Sequence, residues 1–171
     1  VTLYNNSNYF GTARFSGKAW YQGYYGSDNF NNYSFFSASG NDFILINLQY
    51  SPTPAQLDWA DALLKANPNR RGIVEQHDIL DIDNSWENQA AYTALRDNPN
   101  LFLMLCGHMH SAGDGAAYVA ETGTDGHTIH IVMQDYQDMN NGNGWLRIYR
   151  FSPADDLIDL GGNAGHPQVQ A

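Results

Sequence analysis

Apolar positions fall into short, dense runs from residue 42 onward. Phe43-Ile44-Leu45-Ile46-Asn47-Leu48 is almost wholly apolar, as expected of a strand buried on both faces. Thr53-Pro54-Ala55-Gln56 then reads as a helix start, with Thr53 at the N-cap, Pro54 at the first helical position and Gln56 completing a capping box. Leu57, Ala60, Leu63 and Leu64 recur at helical spacing to about Asn67, and Pro68 ends the helix. Gly72–His77 is a second strand. Asn84 or Ser85 is positioned to cap a second helix carrying Trp86, Ala90 and Leu95 to about Asp97, and Leu101–Cys106 is a third strand. Strand, helix, strand, helix, strand is the pattern of a parallel sheet layered with helices.

The flanks differ. Residues 1–41 are rich in Asn, Tyr, Phe and Gly, and Asp28 is their one carboxylate. They read as an ordered, aromatic-pinned loop region with a possible strand at Asn32–Ser37. After Cys106, Ala116–Glu121 and His127–Met133 form a predicted antiparallel hairpin around Thr124-Asp125-Gly126. Trp145–Phe151 and Leu157–Leu160 form another around Ser152-Pro153-Ala154-Asp155, and 161–171 reads as a flexible tail. No repeat or internal linker divides the chain, so 1–171 is expected to be one α/β domain: a βαβαβ core followed by antiparallel hairpins.

Composition narrows the function. The 171 residues hold 18 Asp+Glu against 8 Lys+Arg, a formal charge of −10, which argues against a broad nucleic-acid surface. No apolar run approaches the ~20 residues of a membrane span. Cys106 is the single cysteine, so no internal disulfide forms. Abundant Tyr, Asn and Gly with scarce Lys fit an extracellular or periplasmic setting, and no signal peptide is expected in this stretch.

The candidate chemistry lies where strands end. In open α/β sheets, ligands bind beyond the carboxyl ends of the strands. His77 closes the second strand, and Gly107-His108-Met109-His110 follows the third. A lone strand-end histidine is ordinarily a polar cap. If the two strands are parallel neighbours, however, three imidazoles meet at one rim. His108 and His110, two apart in extended backbone, would project from the same side, with Gly107 allowing a sharp turn. Such a set suits one divalent transition metal per chain, Zn, Mn, Fe or Ni. Asp78, Asp81, Asp114 and Asp135 are the neighbouring carboxylates; Asp78 and Asp135 are the candidates for a catalytic base. No Gly-x-Ser-x-Gly and no phosphate-cradling Gly-rich loop occurs.

Three stretches carry a family resemblance. Ile73–His77, Leu105–His110 with its Gly-His-x-His, and Asp135-Tyr136-Gln137 followed by Gly142–Arg147 together resemble the C-terminal half of a calcineurin-like metallophosphoesterase. Pro54-x-Gln56-Leu57-x-Trp59 is also similar to the helix before that family's histidine strand. The resemblance implies half of a two-sheet α/β sandwich. It makes His77 and His108 ligands of one metal and His110 of a second, with Tyr136 and Gln137 beside the substrate. The family's upstream Asp-x-His, Gly-Asp-x-x-Asp and Gly-Asn-His-Asp motifs do not occur in their required places; Asp125-Gly126-His127 lies downstream, in a predicted turn. Two close cations without an anionic ligand would repel strongly, so one metal per chain is expected.

The implied activity is hydrolysis of phosphate mono- or diesters by metal-bound water, weakened by the missing motifs. The alternatives are a single-metal carboxyl-ester hydrolase and a non-catalytic metal-binding remnant. Half a sandwich exposes a sheet face, so a homodimer or higher homo-oligomer is expected.

Overall fold

The computed structural model describes residues 9–111, 115–139, 141–142, 144–155, 157–161 and 168–170. In chain order the elements are α1 (Thr12–Phe15), β1 (Tyr21–Tyr24), β2 (Asn32–Ala38), β3 (Asn41–Leu48), α2 (Pro54–Ala66), β4 (Arg71–Gln76), α3 (Ala90–Leu95), β5 (Leu101–Cys106), β6 (Ala116–Thr122), β7 (Thr128–Gln134), β8 (Ile148–Ser152), β9 (Leu157–Gly161) and β10 (Gln168–Gln170). The architecture is mixed α/β around a seven-stranded sheet of order β1-β2-β3-β4-β5-β7-β6. Strands β3, β4, β5 and β7 are parallel to one another, and the outer pairings are antiparallel. A smaller antiparallel sheet runs β10-β9-β8. No helix among the described residues is long and apolar enough to cross a membrane.

Alternation along the strands sorts side chains between two faces. Ile44, Ile46, Leu48, Val74, Met104, Ile131 and Met133 face the helices, packing with Leu57, Ala60 and Leu64 of α2 and Ala91, Tyr92 and Leu95 of α3. Each fully buried Ile, Leu or Met contributes about 1.5–3 kcal/mol of transfer free energy. Phe43, Ile73, Leu103 and Val132 form a second cluster on the opposite face with Ile158 of β9. The small sheet thus covers only part of that face. Beyond it, near the carboxyl ends of β3, β4 and β5, Glu75 and Leu105 line an open cleft.

The βαβαβ core forms as its hydrophobic pattern predicts. Helix α2 begins where the Gln56 carboxamide accepts the Thr53 N–H at 2.8 Å. The second helix departs from expectation. Asn84 and Ser85 do not cap it, and helical geometry starts only at Ala90. Asp81 and Asp83 bond the nearby backbone N–H groups of Ile82 and Ser85, and Leu80 pairs with Trp86 as an isolated bridge. Short acidic side chains that satisfy local backbone compete with a helix. Asn88 instead accepts the N–H of Ala90 at 3.1 Å.

The N-terminal region is more regular than a loop. Strand β1 pairs with β2 through a bulge between Tyr21 and Gly23. Its support is aromatic, with Phe15, Trp20 and Tyr21 ring centroids 5.7–6.0 Å apart. Four residues with one glycine carry no readable alternation. The predicted strand start at Trp145 moves to Ile148, after a turn closed by Trp145 N–H to Gly142 O at 2.8 Å. The tail expectation is corrected at Gln168–Gln170, which pairs with β9; residues 162–167 and 171 lie outside the described set.

Gly72 sits where β4 starts beneath α2. A Cβ there would lie 2.7 Å from Leu64 Cδ2 and 3.3 Å from Leu101 Cα. Gly72→Ala is therefore expected to destabilise by about 1–3 kcal/mol through overpacking. Urea unfolding checks this: a wild-type midpoint with unchanged slope would contradict the described packing.

Candidate functional site

Strands β4 and β5 run side by side in the same direction, Glu75 level with Leu105, so both end at the same rim. The backbone continues the pairing past the strands, with Gly107 N–H donating to His77 O at 3.1 Å. This places His77 Nε2 3.1 Å from His108 Nδ1, with ring centroids 4.8 Å apart. Tyr50, just beyond β3, sets its ring edge against both, at 5.6 Å from His77 and 5.7 Å from His108. The ends of three adjacent parallel strands thus supply the cluster.

The sharp turn falls on His108 rather than on Gly107. His108 has φ of 71°, in the left-handed region that non-glycine residues rarely occupy. Gly107 serves a different need: an added Cβ would stand 3.2 Å from Gln134 O on β7. The left-handed residue interrupts the extended backbone from which the same-side expectation for His108 and His110 was drawn. His110 Nδ1 instead lies 2.7 Å from Asp138 Oδ2. Among the described residues no three His, Cys, Asp or Glu side chains gather into a group able to hold a metal ion.

The two-imidazole part of the predicted set does fit a cation. Two nitrogens each about 2.1 Å from one ion stand about 3.0–3.4 Å apart for angles between a right angle and the tetrahedral value. The observed 3.1 Å lies within that span. Without an ion, the same contact requires one ring to donate its N–H to the other. The pair therefore supplies two donors, and a full coordination shell needs more.

Both histidines open onto a cleft of about 820 Å³ that also meets Asn47, Glu75, Cys106, Gln134, Asp135 and Tyr149. Among the described residues its lining includes two carboxylates and no Lys or Arg. Glu75 is reached by solvent, yet the surrounding walls desolvate it enough to push its carboxyl pKa upward. Burial pushes Tyr149 up strongly, and its hydroxyl accepts from the Gln134 carboxamide.

The other candidates divide. Asp135 lines the cleft, its Oδ1 accepting Gln137 N–H at 3.0 Å. Asp78 does not line it: at 4% exposure it accepts from Gln76 Nε2 at 2.7 Å and from Asn88 Nδ2 at 3.3 Å. It braces the backbone after His77 and is poorly placed as a base. Asp81 Oδ1 accepts the Ile82 N–H at 2.6 Å, and Asp114 lies outside the described residues. Tyr136 accepts from Arg147 Nε at 3.0 Å, while Gln137 is exposed; neither lines the cleft.

Sequence reasoning missed Glu75, Tyr50 and Asp138. Glu75 was findable, since it precedes His77 by two in a strand and shares its face. Tyr50 and Asp138 come from loops and carry no periodic signal.

No protein-family description matches the chain, and no solved structure does. The chain is 31% identical over 159 residues to a protein described as "Uncharacterized protein YvnB" from Bacillus subtilis (strain 168). That match covers 89% of this chain and 12% of that protein, so the chain spans a small part of its relative's length.

Cys106 lines the cleft, but burial pushes its thiol up to about 11. Little thiolate exists at pH 8, so iodoacetamide should label it about a hundredfold more slowly than an ordinary cysteine. Labelling should accelerate as pH rises toward 11. Rapid labelling of the folded chain at pH 8 would show a reactive nucleophile that this geometry does not provide.

Proposed function

We propose that this chain takes part in metal-dependent hydrolysis of phosphate mono- or diesters, in the manner of the calcineurin-like metallophosphoesterases its histidine motifs resemble. The observation that carries the reading is the 3.1 Å approach of His77 Nε2 and His108 Nδ1 at the carboxyl rim of parallel strands. A divalent ion held there by His77 and His108, Zn, Mn, Fe or Ni, would supply positive charge for the ester's anionic oxygens and would lower the pKa of a bound water. The cleft's electrostatics support the same reading. Carboxylates with no Lys or Arg repel an anionic ester unless a cation reverses the local field.

In this reading His77 and His108 hold the ion through neutral nitrogens, and Tyr50 restricts their rings. Asp135, which lines the same cleft, is the proton acceptor in place of the buried Asp78. Two protein donors make a weak site, so metal is expected to exchange readily and to be stripped by mild chelation. The calcineurin-like sandwich is the finer fold reading that accompanies this proposal.

The carboxylate-lined cleft also favours a second reading, hydrolysis of a neutral carboxyl ester, whose substrate meets no repulsion. Elemental analysis joined to three substrates separates them: nitrophenyl phosphate, bis-nitrophenyl phosphate and nitrophenyl acetate. The proposal predicts phosphate-ester turnover that disappears with chelator and returns with Mn or Zn. His108→Ala should lower metal occupancy and turnover together, by about a hundredfold or more. Turnover of the acetate alone would move the assignment to the second reading. Absence of bound metal, with no gain from added ions, would overturn both.

A further inference from the structure

A second cavity, of about 450 Å³, adjoins the histidine cleft and shares Phe10, Asn29, Asn32 and Asn47 with it. Nothing in the phosphate-ester reading uses it. Its volume is within the usual range for small-molecule sites, about 300–1,000 Å³. Its floor is the sheet face of β2 and β3, where Asn32 pairs with Asn47, Ser34 with Leu45 and Phe36 with Phe43. No charged side chain among the described residues lines it.

The rim is aromatic and wet. Trp20 and Phe36 are 46% and 41% exposed, although Trp20 already touches Phe15 and Tyr21. Phe36 lies flat on Phe43, with centroids 4.8 Å apart and planes 9° from parallel, which leaves its other face for a partner. At the end toward His77, Asn47 Nδ2 donates to Asn32 Oδ1 at 2.9 Å, and Asn32 Nδ2 donates to Asn29 O at 3.1 Å. A carboxamide nitrogen carries two hydrogens, so each retains capacity to read a ligand's edge.

From this continuity we infer that the cavity receives the uncharged aromatic ring of the ester's organic group, a nucleobase or aryl ring, stacked against Trp20 and Phe36 while the ester lies toward His77 and His108. Aromatic faces supply sequence-tolerant stacking, and the neutral lining excludes a charged group. The inference deepens the phosphate-ester reading by naming its substrate class, and it has a readout that needs neither metal nor turnover.

Isothermal titration with adenosine, which carries no phosphate, tests the cavity directly in the full chain. Adenosine should bind the metal-free protein, and methyl glucoside should not. Trp20→Ala should weaken adenosine by about tenfold or more. Trp20→Phe keeps a stacking face and should restore most of the affinity, while an unchanged thermal midpoint in Trp20→Ala would show that the loss is of stacking and not of packing on Phe15 and Tyr21. In turnover, benzyl phosphate should exceed methyl phosphate, whose leaving alcohol is similarly basic, in kcat/KM, with the preference reduced in Trp20→Ala. Adenosine binding without hydrolysis of any ester supports the cavity and sinks the phosphate-ester reading. Ester hydrolysis with no adenosine binding and an unmoved aryl preference overturns the cavity alone, as does tighter binding of the glucoside.

Discussion

Parallel pairing of β4 with β5 determines what this chain can do chemically. Two strands that run the same way and start under the same helical layer must end together, and each ends in a histidine-bearing segment. The register is held from below by Val74 and Met104, both fully buried against the helices. It is extended above by the Gly107 to His77 backbone bond. A slip of one residue in either strand would move its Val74 or Met104 from the helix-facing side to the opposite face and part the imidazoles in the same step. The core thus positions the site, and no histidine needs conformational freedom to reach its neighbour.

Local backbone preference is broken at the site itself, as it also is at Ser39, Ser51, Asn84 and Asn141. His108 occupies left-handed backbone at φ 71° beside a glycine that does not. Strain of this kind persists only where surroundings over-determine it, and it concentrates at functional positions. Here the surroundings are the close approach of Gly107 to Gln134 O on one side and the ring contacts to His77 and Tyr50 on the other. The acid-rich cleft adds an electrostatic constraint. Its carboxylates lower the potential that a pair of neutral imidazoles alone would create, which favours a cation and disfavours a bare anion.

Much of the fold was legible in the sequence because burial writes a period. Residues 43–48 and 101–106 read as strands because almost every position is apolar, and α2 because Leu57, Ala60 and Leu64 recur on one face with Pro54 at its start. Where side-chain hydrogen bonding replaced burial, the reading failed. Asp81, Asp83 and Asn88 shaped the segment before α3 through local bonds, and aromatic packing built β1 without alternation. The same division applies to the site. His77 and His108 were readable because strand ends carry them to one rim. The left-handed angle at His108 and the contact of His110 with Asp138 leave no trace in spacing.

Pulsed electron paramagnetic resonance of the chain loaded with one equivalent of Cu(II) tests the shared imidazole site most directly, because remote ring nitrogens identify histidine ligands by type and number. Two imidazoles should couple to the ion in the wild-type chain, and one in either His77→Ala or His108→Ala. A wild-type spectrum with no imidazole coupling, or one that neither substitution changes, would contradict the shared site.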